Sequence, residues 1–471
     1  MSIAQPSLSA LPTLARARRG LHVVEAAATS PVPERAAVTG LPEVVRAAPV
    51  PVLGGGLVDD APLDHGASTP ALRAVLDAVD AATRTYASVH RGQGWLSRVT
   101  SAHYEAARAE VARFVGARAD DAVVLTRNTT DAVNVLARAL PEGTPVVVFD
   151  SEHHAALLPW PAATTRRLTV PRSHEEALGR LDATLASLEP GLFTPLVVVA
   201  GASNVTGELW PLERVVATAR RHGARVLVDA AQLAAHRPVD LTALDADWVV
   251  LSGHKLHAPF GAGALVGRAD WLDAAPPYLP GGGASAEVTA DGVRWATGAA
   301  RHEGGTPNVL GAVALAAACA TIDRHRAAVE DHEAALTRRL LDGLRATPGV
   351  RVLSVFGDDA DRGPVAAFTV DGLDSHLVAT ALAAEHGVAV RAGKFCAHRL
   401  VDTLLAGGGT DDATAVRASA GIATTPEHVE RLLAAVATLA ADGPGAEYVL
   451  EPGAGWVPVH DDRELAVDRL W

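Results

Sequence analysis

Between Val123 and Val266 the chain repeats one unit: an apolar run of strand length, a short polar or glycine-containing turn, then a helical stretch rich in Ala, Leu and Arg. The candidate strands are Ala122 to Thr126, Pro145 to Phe149, Leu196 to Ala200, Arg225 to Asp229, Trp248 to Leu251 and Gly263 to Val266. Helices over Ser101 to Val115, Asp131 to Ala139 and Leu212 to His222 lie between several of them. Strands without polar alternation must be buried on both faces, which a mainly parallel sheet covered by helices achieves. The repeat therefore predicts an α/β fold, with ligands bound beyond the carboxyl ends of the strands.

The pattern changes after a helical stretch around Ala312 to Ala346. Strands at Val350 to Ser354, Val365 to Val370 and Val388 to Arg391, with helices near Ser375 to His386 and Pro426 to Ala441, predict a smaller α+β domain. The expected division is an extension over 1–50, a large domain over 51–320, a small domain over 321–441 and a second extension over 442–471. Residues 51–70 can pack on the small domain. The first extension is rich in Ala, Pro and Arg without sustained period. The last holds Trp456 and Trp471, which would pack on the body or on a second subunit.

With 471 residues, 49% of them hydrophobic, the chain can bury a large core. Its formal net charge of -13 argues against nucleic acid or an anionic membrane as partner and favours a small molecule. The longest apolar stretch, Val309 to Ile322, is shorter than the about 20 residues that a membrane span takes. Arg16, Arg18 and Arg19 near the start are followed by no apolar segment of signal-peptide type, so a cytoplasmic protein is expected.

Positive charge is carried almost wholly by Arg; the only lysines are Lys255 and Lys394. The only cysteines, Cys319 and Cys396, are too few for a disulfide framework, and a lone Cys in a reducing compartment can be a nucleophile. Two strands end in polar groups: Val226-Leu-Val-Asp229-Ala-Ala-Gln232, and Trp248-Val-Val-Leu-Ser252-Gly-His254-Lys255. A lysine that forms a Schiff base with pyridoxal 5'-phosphate needs an acid at the pyridine nitrogen, and Asp229 with Lys255 suits those two roles. Taken singly, Asp229 could be a helix cap and Lys255 a surface lysine. A third strand end, Leu125-Thr-Arg127-Asn-Thr129-Thr130-Asp131, precedes a helix whose free N–H groups can hold a phosphate, although Thr129 alone would read as an ordinary cap.

In order along the chain stand Leu63-Asp-His-Gly-Ala-Ser-Thr-Pro, Val89-His-Arg-Gly, Arg127-Asn-Thr-Thr, Glu152-His-His, Ser203-Asn-Val-Thr-Gly, Val228-Asp-Ala-Ala-Gln, Ser252-Gly-His-Lys, Gly304-Gly-Thr-Pro-Asn and Arg391-Ala-Gly-Lys-Phe-Cys-Ala-His. From about Leu63 to about Leu439 this set resembles the class V aminotransferase family of pyridoxal-phosphate enzymes. Within it, the set is most similar to the SufS-type cysteine desulfurases and selenocysteine lyases. The resemblance implies PLP fold type I, with a large domain built on a mainly parallel sheet of seven-stranded type and a smaller α+β C-terminal domain. It further implies that His153 stacks on the cofactor ring, Asp229 pairs with its nitrogen, Asn204 and Gln232 face its phenolic oxygen, and Thr129, Thr130, Ser252 and His254 surround its phosphate. Thr306 matches a threonine that reaches the phosphate from a second subunit, which implies a homodimer. Arg417 matches the arginine that clamps the substrate carboxylate, with Arg391, His90 and Arg91 as further substrate contacts. Cys396 stands where a desulfurase has the thiolate that takes the substrate sulfur, and Lys394 and Arg391 are cations able to favour that thiolate.

Two departures bear on the reaction. Lys394 and Phe395 occupy positions where SufS-type enzymes often have two histidines, and the segment from Cys396 to Arg417, with Gly407-Gly-Gly, is longer than their compact loop. Elsewhere, Gly261-Ala-Gly-Ala-Leu-Val-Gly267 has the wrong spacing for a dinucleotide turn, Gly281-Gly-Gly283 reads as a mobile loop near the site entrance, and His153-His154 lack zinc-ligand spacing. No metal is predicted. The expected activity is removal of sulfur or selenium from cysteine or selenocysteine through a Cys396 persulfide, giving alanine, with a possible protein sulfur acceptor. The alternatives are a C–S lyase, epimerase or aminotransferase of the same family, or a silent cofactor-binding partner protein.

Overall fold

The computed structural model describes residues 40–189, 191, 193–406 and 413–465. Arg16, Arg18, Arg19, Gly407-Gly-Gly409 and Trp471, singled out above, lie outside these residues.

Seven strands form the large sheet in the order Asp121–Thr126, Gly263–Arg268, Trp248–Ser252, Arg225–Asp229, Leu196–Ala200, Val146–Phe149 and Thr165–Leu168. Only Gly263–Arg268 runs against its neighbours; the other pairings are parallel. Successive side chains of a strand point to opposite faces, and the apolar residues divide accordingly. Val147, Val197, Val199, Val226, Val228, Val249 and Leu251 enter one core, while Val146, Val148, Leu196, Val198, Leu227, Trp248 and Val250 enter another on the opposite face. Both faces are thus buried, as the unbroken apolar runs require. The edge strand Thr165–Leu168 was absent from the expected set because its centre is Arg166 and Arg167, both exposed. Charge on an edge strand discourages pairing with another chain.

The second sheet has four antiparallel strands in the order Val350–Val352, Val365–Val370, Ala415–Ser419 and Arg391–Gly393. Helices Arg326–Ala346, Ser375–His386 and Pro426–Asp442 share its core. Thr425 caps the last of these reciprocally with His428, ahead of a proline in the first turn. The stretch expected to be one helix around Ala312 to Ala346 is two, Val309–Arg324 and Arg326–Ala346, meeting at His325. Val388 to Arg391 likewise divides: Val388–Ala389 pairs in parallel with Ala61–Pro62, and Arg391–Gly393 joins the four-stranded sheet. Leu63 sits in the small-sheet core, so the segment before the first long helix is stitched to that sheet. The hairpin Tyr448–Glu451 and Gly455–Pro458 packs back on helix Ser375–His386: the Tyr448 hydroxyl donates to Glu385 (2.8 Å) and Trp456 Nε1 to Asp374 (3.0 Å). Among the described residues no helix is long and apolar enough to cross a membrane.

Candidate active site

At the carboxyl ends of the parallel strands, one cavity gathers Thr129, Thr130, His153, Asn204, Asp229, Gln232, Ser252, His254, Lys255, Arg391, Cys396 and Arg417. The large sheet supplies one wall. Asp229 is the last residue of its strand and is buried, its carboxylate accepting from Ala231 N at 2.9 Å. Burial pushes its pKa up, against the lowering influence of that bond and of Lys255. Lys255 ends the tight turn after Trp248–Ser252, and desolvation brings its amine down to about 8, so that it gives up a proton more readily than an exposed lysine. Burial first, then Lys255, His154 and Arg417, lower His153 to about 4. The ring is therefore neutral, and Nδ1 accepts from Ala155 N (3.0 Å), which puts its proton on Nε2.

Helix Thr129–Ala139 opens on the same cavity. Asn128, not Thr129, caps it, accepting from Asp131 N at 2.9 Å. Thr129 Oγ1 is buried without a hydrogen-bond partner among the described residues, and so is Ser252 Oγ. Leaving a buried hydroxyl unpaired costs about 1–3 kcal/mol. The Thr129 hydroxyl at the helix N-terminus, with the Ser252 hydroxyl and His254 at the end of strand Trp248–Ser252 lining the same cavity, fits a phosphate. Asp229, a buried acid lining the same cavity, fits a protonated ring nitrogen whose positive charge would offset the desolvation of its carboxylate, so the residues present suit pyridoxal 5'-phosphate.

The small sheet supplies the facing wall. Arg417, central in Ala415–Ser419, is 2% exposed; its guanidinium donates to Asn204 O (3.0 Å) and to Asp64 Oδ1 (2.8 Å) and lies over the Phe395 ring. Arg391 approaches the other Asp64 oxygen at 3.7 Å. Cys396 is exposed and is the second residue of a two-residue left-handed turn, with φ of +51° at Phe395 and +55° at Cys396. Such a conformation costs an L-residue about 1–2 kcal/mol. Two hydrogen bonds hold it: Asn204 Nδ2 donates to Phe395 O (2.7 Å) and His154 N to Cys396 O (2.8 Å). Lys394 is turned to Asp402, its ammonium 2.8 Å from the carboxylate.

The sequence matches the family model for class-V aminotransferases over residues 62–432. A cysteine desulfurase of Klebsiella pneumoniae is 35% identical over 386 residues, 79% of this chain and 91% of that protein. The crystal structure of the cysteine desulfurase CsdA of Escherichia coli superposes with a TM-score of 0.69 at 32% identity, covering 79% of this chain and 93% of that one. A cysteine desulfurase of Thermococcus onnurineus gives 0.71 at 30%, covering 81% and 96%. The chain belongs to the class-V aminotransferase family. It has PLP fold type I and is a pyridoxal-phosphate-dependent enzyme.

Three residues assigned to the site from the family resemblance do not reach this cavity. Thr306, His90 and Arg91 line a separate recess with Glu105, Arg108 and Glu303, where His90 Nε2 is 2.9 Å from Glu105. Within one chain His90 and Arg91 therefore cannot touch a substrate at Lys255. Gly283 belongs to the same recess, so the glycine run 281–283 adjoins Thr306 and Arg91 and not the Lys255 cavity. Conversely, the Leu63-Asp-His motif by itself assigns Asp64 no role. That residue sits between the two arginines because Ala61–Pro62 pairs with Val388–Ala389 and Asp64 itself bridges to Ser419 at the end of strand Ala415–Ser419, contacts between residues far apart in the chain.

Proposed function

We propose that the chain is a cysteine desulfurase that takes sulfur from L-cysteine onto Cys396 and releases L-alanine. The observation that carries this reading is the presence of a second nucleophile, the Cys396 thiol, in the same cavity as the Lys255 amine and the Arg417 guanidinium. When bound, pyridoxal phosphate supplies an electron sink that stabilises a carbanion at the substrate Cα.

The chain's own residues divide the remaining work. Thr129, Thr130, Ser252 and His254 hold the phosphate, Asp229 the ring nitrogen, His153 the ring face, and Asn204 and Gln232 the phenolic side. Arg417, with Arg391 beside it, receives the substrate carboxylate and fixes which bond at Cα is broken. The Lys255 amine removes the Cα proton. The Cys396 thiolate then attacks the substrate sulfur: an S–S bond forms, the C–S bond breaks with its electron pair left on carbon, and protons are returned to Cβ and Cα. The products are alanine and a Cys396 persulfide, with no external oxidant or reductant.

Thr306, His90 and Arg91 fit this scheme in a homodimer, where the recess of one protomer would complete the phosphate end and the substrate approach of its partner. The strained, exposed turn at Cys396 suits handing sulfur to a further acceptor, a protein thiol among them. Purified protein given L-cysteine and a thiol reductant is expected to release alanine and sulfide in equal amounts. Pyruvate and ammonia in place of alanine would make it a C–S lyase.

A further inference from the structure

Behind the two arginines that the proposed reaction uses stands an acid that it does not. Arg417 and Arg391 line the cavity, whereas Asp64 does not. Asp64 Oδ1 accepts from Arg417 Nη2 at 2.8 Å, and its Oδ2 is 3.7 Å from Arg391 Nε. Its place is fixed by the backbone and not by the arginines alone: Ser419 N donates to Leu63 O (2.6 Å), and His65 N to Ser419 O (3.1 Å). Gly66 lies so close to the guanidinium that a Cβ there would be 3.1 Å from Arg417 Cζ. The Asp64 backbone therefore cannot draw away from the arginines without undoing its join to strand Ala415–Ser419.

Arg417 is buried, so its charge depends on its neighbours. Burial lowers its pKa; Asp64 is the main influence in the other direction, and Arg391 works with burial. Two arginines against one carboxylate leave a single positive charge for the cavity. A substrate carboxylate arriving at Arg417 meets that charge and also the repulsion of Asp64 behind it. Near a protein surface, unit charges a few ångströms apart interact strongly enough to shift an equilibrium constant about tenfold or more. L-Cysteine and L-alanine carry the same carboxylate, so a clamp that gripped it harder would hold product as firmly as substrate. We propose that Asp64 is the resident counter-ion of the carboxylate clamp: it keeps the Arg417–Arg391 pair at one net positive charge and so sets how tightly the site holds a single carboxylate. The inference rests on Arg417 receiving the substrate carboxylate. Asp64 touches no reacting atom; it is a positioning residue that acts through Arg417.

The test titrates the holoenzyme with L-alanine, read by the change in visible absorbance, and repeats the titration with ethylamine, which is L-alanine without its carboxylate. Asp64→Asn keeps an oxygen acceptor for Arg417 Nη2 and removes the negative charge. It is expected to bind L-alanine about tenfold or more tightly than the parent, with the affinity for ethylamine changed by less than about twofold. The double variant Asp64→Asn, Arg391→Gln has one net positive charge again and is expected to bring the L-alanine affinity back toward the parent value. An unchanged or weaker L-alanine affinity in Asp64→Asn overturns the proposal. So does an equal gain for ethylamine, which would report a general change in the cavity, and so does a double variant as tight as Asp64→Asn. Should Asp64→Asn not fold, Asp64→Ser removes the same charge and is read in the same way. Failure of the underlying reading looks different: Arg417→Lys binding L-alanine as tightly as the parent would overturn the clamp itself and this proposal with it. No cysteine is turned over, so the release of alanine and sulfide from L-cysteine remains the separate judge of the desulfurase reading.

Discussion

The two walls of the cavity are built by different means. On the large-sheet side, Asp229, Ser252 and Lys255 stand where consecutive parallel strands stop, and regular secondary structure delivers them to one rim. On the small-sheet side, Cys396 rides a left-handed turn and Arg417 is buried inside a strand, each held by bonds to distant segments. The first wall is suited to holding a cofactor that stays. The second is suited to groups that meet a substrate and pass on its sulfur.

Substitutions on the two walls should therefore fail differently. Lys255→Ala is expected to have the largest effect, losing the visible absorbance of lysine-bound cofactor and lowering turnover by a factor on the order of 10³. Cys396→Ser should keep that absorbance while alanine formation falls by about a hundredfold or more. The contrast sharpens with Cys319→Ser: Cys319 is fully buried in helix Val309–Arg324, where burial pushes its thiol pKa up, so its loss should leave alanine formation unchanged. Sulfide release by Cys396→Ser at the parent rate would erase the distinction between the walls. Arg417→Lys replaces a planar fork with a point charge and loses about one charge-assisted bond, which predicts a KM for cysteine raised roughly 10- to 100-fold with kcat far less affected. The smallest effect is on pH. Because desolvation brings the Lys255 amine down to about 8, loading of cofactor-free protein with pyridoxal phosphate should speed up as pH rises and level off above about 8. A rate still climbing several-fold between pH 9 and 10 would mean an exposed amine with an ordinary pKa near 10.4.

The same contrast governs what could be read from the residues alone. Leu196–Ala200, Arg225–Asp229 and Val365–Val370 appear with the expected bounds because buried strands are continuous apolar runs. The large wall was legible for that reason. Ala415–Ser419 was not, since five residues with a buried arginine at the centre carry no strand signal, and only pairing with Val365–Val370 and Arg391–Gly393 makes them one. Asp64 was invisible as a partner, because its contacts join segments that the chain sequence keeps far apart. The placement of His90, Arg91 and Thr306 in a recess of their own shows the limit of carrying roles over one chain at a time.

The most direct test of the central claim is to record the absorbance of the purified protein, add L-cysteine with a thiol reductant, and quantify alanine and sulfide. The account predicts a visible band of lysine-bound pyridoxal phosphate and equal amounts of the two products. A band with no alanine, or no band even after pyridoxal phosphate is supplied, would contradict it.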